Sequence, residues 1–133
     1  MAAVEIVSFG FLHGPLAGED GEPLPVDVTV DLRRHFRDPH VSPELRYMTA
    51  DDEPVRVAVM GTPGVAVLVA ATAAAVEAFT LGPSAGPVLV ADGCAGGRHR
   101  APVFARELGR LLTAAGHDVT VRHRDMHRPV VQR

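Results

Sequence analysis

The chain contains no lysine and no tryptophan, only one tyrosine, and only one cysteine. The single cysteine excludes an internal disulfide and a four-thiolate zinc site. The absent lysine excludes a Walker A phosphate loop, which needs Gly-Lys, so no autonomous P-loop NTPase is expected. Every permanent cation is a planar guanidinium suited to bidentate contact with phosphate or carboxylate. Aromatic residues make up 5% of the chain, too few for the base-stacking platforms of single-strand readers. The first residues lack a basic segment, and Glu5 interrupts the first apolar stretch, so a signal peptide is not expected and the expected location is cytoplasmic. Residues 57–76 carry no charge and reach the length of a membrane span, but Gly61-Thr62-Pro63-Gly64 breaks the run and seven of the twenty are alanine. A buried helix pair is expected instead, and no membrane partner.

What remains is a chain of 133 residues, 47% hydrophobic and 22% charged, the profile of one globular domain spanning residues 1–133. The net charge of −3 is unevenly divided: residues 1–92 hold 5 arginines against 13 acids, and residues 93–133 hold 8 against 3.

Apolar and β-branched runs predict strands at 4–9, 26–32, 87–91 and 117–123, the second with strict alternation. Residues 12–25 read as a flexible loop and 124–133 as a basic tail, while 33–49, with Pro39 and Pro43, reads as an ordered irregular connection. Helices are expected from Asp51 or Asp52 to Gly61, from Thr62 to about Thr80, and from Pro102 to Ala115. The last carries a core stripe at Phe104, Leu108, Leu111 and Leu112. Four strands alternating with three helices predict an α/β fold: one small domain with a mixed sheet and a βαβ unit around a glycine-rich anion-binding loop.

That loop is Gly93-Cys94-Ala95-Gly96-Gly97-Arg98-His99-Arg100, between a buried strand and an amphipathic helix. Glycines free its amides, the helix start is electropositive, and three consecutive cationic side chains follow, which together favour a bound anion, most simply a phosphate. Arg100 stands at a helix start, so it is expected to be replaceable with little cost to the fold. Cys94 and Arg100 also have the C-x5-R spacing of cysteine phosphatases. In that alternative Cys94 is the nucleophile, Arg100 holds the phosphoryl oxygens and Asp38 is the general acid. Otherwise the domain has no catalytic residue. Arg33, Arg46 and His40 are candidates for an opposite wall. Arg122, His123, Arg124 and Arg128 form a dense cationic stretch that could contact RNA phosphates. His123 and His127 are four apart, but with no third ligand in sight neither a metal nor any other cofactor is expected.

Five segments resemble, in order, the motifs of the C-terminal domain of the RNase adapter family RapZ, also called YvcJ-like. They are Ser8-Phe9-Gly10-Phe11-Leu12-His13-Gly14, then Asp31-Leu32-Arg33, then 38–49 with Pro39-His40 and Leu45-Arg46-Tyr47-Met48-Thr49, then Gly93 to Ala101, and finally Arg122-His123-Arg124. The resemblance implies a sensory module for an amino-sugar phosphate, glucosamine-6-phosphate, with small regulatory RNA as a second partner; assembly into a homo-oligomer is left open by the sequence. It implies ligand contacts from His40, Gly96 and Arg100. Family members carry a P-loop domain ahead of this one, so a stand-alone C-terminal domain is expected here. The chain departs from the pattern at Leu12 and Arg98, where the family has lysine, at Ala95 for threonine and Ala101 for serine, and by one inserted residue between Arg33 and His40.

Overall fold

A computed structural model describes residues 2–84 and 86–132. Strands β1 (Ala3–Gly10), β2 (Val28–Asp31), β3 (Val88–Cys94) and β4 (Asp118–His123) form one sheet in the order β2-β3-β1-β4. Helices α1 (Glu53–Met60) and α2 (Val65–Thr80) connect β2 to β3, and α3 (Arg100–Ala114) connects β3 to β4. All three strand pairings are parallel, so the expected mixed sheet is corrected to a parallel one. The cause is connectivity: no two neighbouring strands are joined by a hairpin, and each crossover returns the chain to the same end of the sheet.

The moves β2 to β3 and β3 to β4 run in one direction across the sheet, and β1 to β2 runs the other way. Right-handed crossovers therefore put all three α-helices on one face and residues 11–27 on the other. The side chains agree. Val4, Ile6, Val88, Val90 and Cys94 join Val55, Val59, Val69, Val76, Phe104, Leu108 and Leu112 in one core. Phe9 and Ala91, of opposite parity, border an apolar cavity of about 400 Å³ with Phe11, Leu16, Val26 and Thr29. Residues 12–25 thus cover the second face, tied by a 3-10 turn at Phe11–His13 and an antiparallel bridge between Ala17 and Pro23.

Element boundaries shift where main-chain partners decide them. The second strand shrinks from the expected 26–32 to Val28–Asp31. The third lengthens to Cys94, because β1 supplies partners for Asp92, Gly93 and Cys94. α2 begins at Val65 rather than Pro63, with Gly64 at φ +93° ahead of it. α3 begins at Arg100 rather than Pro102. The 33–49 connection is irregular as expected, with a 3-10 turn at Pro39–Val41. The basic tail from Arg124 is corrected in part: Asp125 is fully buried and Met126 packs into the core, so the chain leaves the fold only after them. Arg133 lies outside the described residues. Among the described residues no single helix is long and apolar enough to cross a membrane; α1 and α2 meet at 82°.

Candidate functional site

β1 and β3 are neighbours whose outgoing connections leave to opposite faces, which makes their C-terminal ends the switch point of the sheet, where open α/β folds hold ligands. Backbones approach closely there. A Cβ on Gly10 would lie within 3 Å of main-chain atoms of both Gly96 and Gly97, and one on Gly97 would meet the Gly10 nitrogen at 2.7 Å. Gly97 also has φ +80°, in the left-handed region that favours glycine. Leu12 N–H donates to the Ala95 carbonyl at 3.0 Å, so the turn after β3 sits directly on the end of β1.

The three basic side chains of that turn face the protein. Arg98 donates to the carbonyls of Tyr47 (2.6 Å) and Arg128 (2.7 Å). His99 is buried, and its Nε2 lies 3.1 Å and 2.9 Å from the carbonyls of Leu45 and Met48, so this nitrogen carries the proton. Burial lowers the His99 pKa, keeping the ring neutral. Arg100 is buried too; it donates to the carbonyls of Leu32, Arg33 and Phe36 at 3.0–3.2 Å and pairs with Asp38 at 3.1 Å. Charge at this helix start therefore neutralises carbonyl dipoles and one carboxylate, and binds the 32–50 connection to the sheet edge. The expectation that Arg100 is dispensable to the fold is corrected accordingly.

Cys94 is buried, and burial pushes its thiol pKa up. Its sulfur accepts the Ala101 N–H at 3.4 Å, and Pro102 has no N–H to offer, so the first turn of α3 is largely closed to a ligand. A phosphatase nucleophile needs a lowered pKa and access, and this cysteine has neither. Asp38, assigned there as general acid, is held by Arg100 and caps the 3-10 turn through the His40 N–H.

Of the connection after β2, Asp38 pairs with Arg100 at the start of α3, and the His40 carbonyl accepts from Arg46 Nε at 2.8 Å. Arg33 stacks 3.6 Å from the Phe11 ring centroid and pairs with Asp31, whose pKa its hydrogen bond lowers. That contact joins the second motif to the first.

The C-terminal cations are engaged within the chain. Arg122 pairs with Glu5. Arg124 donates to the carbonyls of Pro15 and Gly14, each at 2.8 Å, and pairs with Asp125. Arg128 also pairs with Asp125 at 3.2 Å. His123 Nδ1 lies 2.6 Å from the Ser8 hydroxyl, and His127 lies 3.5 Å from Asp51, so the two histidines go to different partners.

Two residues at this edge escape sequence reasoning. Asp125 receives the Gly10 N–H at 2.7 Å and is the anion that the Arg124 and Arg128 charges answer. The spacing Arg124-Asp125-x-x-Arg128 carries that signal, since a carboxylate between two guanidiniums tolerates burial. Asp92 is fully buried, with no hydrogen-bond partner for either carboxylate oxygen among the described residues, and burial raises its pKa well above the usual range. Its place in the apolar run Val88-Leu89-Val90-Ala91 was the only hint.

These features define a small parallel α/β domain in which three loops meet at the switch point. The model of one family, the RapZ C-terminal domain, matches residues 2–127, and the chain belongs to that family. It is 34% identical over 128 residues to a nucleotide-binding protein of Moorella thermoacetica, covering 94% of this chain and 40% of that relative. It is 37% identical over 131 residues to one from Rubrobacter xylanophilus (92% and 40%), and 35% identical over 129 residues to one from Bifidobacterium longum (95% and 37%). The chain thus spans about two-fifths of the length of the relatives it matches.

Proposed function

We propose that this domain is a binding module for a small phosphorylated ligand, held at the switch point between the turn at Ala95–Gly97 and the wall formed by Arg33, His40 and Arg46. The observation that carries the reading is convergence. Residues 8–14, 38–49 and 93–101 are far apart in the chain, yet one connected set of bonds (Leu12 to Ala95, Arg98 to Tyr47, Arg100 to Asp38) brings them to one edge. The naming of the relatives as nucleotide-binding proteins supports a phosphorylated ligand. The family resemblance narrows it to an amino-sugar phosphate of the glucosamine-6-phosphate kind. In this reading Arg33 and His40 contact the ligand, and Arg98, His99 and Arg100 act through the connection they hold in place.

Calorimetry with glucosamine-6-phosphate, glucosamine and inorganic phosphate tests it. The phosphosugar should bind more tightly than either fragment. Arg33→Ala and His40→Ala should each weaken it by at least about tenfold, the loss of one charge-assisted hydrogen bond, at unchanged melting temperature. Arg100→Ala should weaken binding and also lower stability by about 3 kcal/mol, because it breaks the buried ion pair with Asp38 and removes the donor that three carbonyls share. No heat with the phosphosugar, or full affinity in His40→Ala, overturns the assignment.

A role as a small-RNA adapter comes from the resemblance alone, since Arg122, Arg124 and Arg128 are engaged inside the chain. A low-salt gel shift with structured bacterial small RNA, with and without the phosphosugar, decides that role separately.

A further inference from the structure

The sheet face away from the helices is roofed by residues 11–27, and the roof leaves a gap of about 400 Å³ above the strands. Small-molecule sites run from about 300 to 1,000 Å³. The floor of the gap is flat, because Ala91 on β3 and Thr29 on β2 are registered neighbours with short side chains. Its end wall is aromatic: the rings of Phe9 and Phe11 stand 4.7 Å apart between centroids, tilted at 59°. Gly93 makes room for that pair, since a Cβ there would meet Phe11 at 2.5 Å and Phe9 at 2.7 Å. Leu16 and Val26 form the roof, and Thr29 is exposed, so the cleft opens to solvent over β2.

Polar ties at both ends hold the roof at its height. Arg124 donates to the carbonyls of Gly14 and Pro15, each at 2.8 Å. At the far end the Asp27 N–H donates to the Leu89 carbonyl, and the Asp27 carboxylate accepts the Leu89 N–H, both at 2.8 Å. A roof pinned this way cannot settle onto the sheet, so the cleft is formed before anything enters it. The rings at its end also have a charge preference. The Arg33 guanidinium carbon lies 3.6 Å from the Phe11 centroid, and that of Arg124 lies 5.7 Å from the Phe9 centroid. A cation on one side of a ring draws π density towards itself, and the rest of the ring then favours an electron-rich neighbour.

We propose that this cleft is a second ligand site, which takes a planar, uncharged, electron-rich aromatic molecule of the indole or phenol class. Each part of that description has its own cause. The flat floor and the tilted pair of phenyl rings select a planar π system. The two guanidiniums behind those rings select an electron-rich one. No charged side chain lines the cleft among the described residues, so a buried ionic group would lack a partner. The Thr29 hydroxyl stands at the mouth, where a ring N–H or O–H finds an acceptor. An apolar cavity of about 150 Å³ already takes benzene, so the volume here admits two fused rings. The lining shares no residue with the turn at Ala95–Gly97 or with Arg33, His40 and Arg46, and the proposal does not rest on the phosphorylated-ligand reading.

The chain has no tryptophan, so added indole is the one indole fluorophore in the sample and reports its own binding. Its emission should shift to the blue and saturate, with a dissociation constant below about 1 mM. Phenol should displace it about fivefold better than cyclohexanol, which is similar in size but has no π electrons. Thr29→Phe puts a ring into the mouth from an exposed position and should abolish the shift without lowering the melting temperature. Phe11→Leu keeps the wall apolar and should raise the dissociation constant about fivefold. Inorganic phosphate should leave indole affinity unchanged, which separates this cleft from the switch point. The proposal is overturned by any of four results: no saturable shift with the parent protein, equal displacement by cyclohexanol and phenol, displacement by phosphate, or full indole affinity in either folded variant.

Discussion

Asp92 is the costliest residue in the sheet. It shares a face with Val88, Val90 and Cys94, and its carboxylate has neither solvent nor, among the described residues, a hydrogen-bond partner. The fold therefore keeps it protonated, because burial disfavours the anion and holds its pKa well above the usual carboxylate range. Between the unfolded and folded pKa values the native state binds the extra proton, so this residue subtracts stability as pH rises. Asp92→Asn keeps the shape and removes the proton dependence. It should raise stability at pH 7 by about 1 kcal/mol, a gain that shrinks to nothing towards pH 4, measured by urea unfolding at both pH values. An equal effect at both would show that the carboxylate is ionised in the fold. Arg100 is the opposite case, a buried charge whose partners all come from the 32–38 stretch.

At the scale of elements, the contact between the end of β1 and the turn after β3 sets the geometry of the switch point. It depends on two glycines that lack room for a methyl group. Gly10→Ala and Gly97→Ala should each cost about 2–3 kcal/mol, since the obstructing atoms are largely backbone and cannot step aside. Gly116 ends α3 at φ +95° but faces open space, so Gly116→Ala should cost only about 1 kcal/mol, the left-handed backbone penalty alone. Thermal melts of the three variants separate close packing from conformation. A loss in Gly97→Ala no larger than that in Gly116→Ala, with Gly10→Ala (φ −110°) unaffected, would mean that backbone conformation, not the contact with β1, requires glycine in this turn. The same contact explains why the glycines could be taken for an anion cradle: close backbone approach to a phosphate and close backbone approach to a strand demand the same residue.

Over the whole molecule, two half-buried or buried histidines set the acid limit. His99 and His123 both have pKa values lowered chiefly by burial, so they are neutral in the fold and charge readily when unfolded. Stability should be fully present above about pH 6.5 and fall as pH drops below it, since the unfolded chain then binds the extra protons. Melting temperatures between pH 7.5 and 5 should show that fall, and His99→Gln should flatten it. An unchanged slope in that variant would mean that His99 is already charged in the fold.

Pattern in the chain was sufficient for the element types, the α/β class and the family motifs, because strands, helices and turns follow from short-range periodicity and from glycine and proline. The core stripe of α3 was legible for the same reason: Phe104, Leu108 and Leu112 are buried as their spacing requires. The sheet's strand order and parallel pairing were not legible, since they depend on which way each connection moves across the sheet and on its returning to the same end. Nor was the direction in which Arg98, His99 and Arg100 point. Three cations after two glycines read alike whether they meet a ligand or the carbonyls of Leu32, Tyr47 and Met48, residues about fifty or more positions away in the chain. Only the tertiary structure decides that, because an arginine's partner is chosen by whichever unsatisfied acceptors the fold brings within reach.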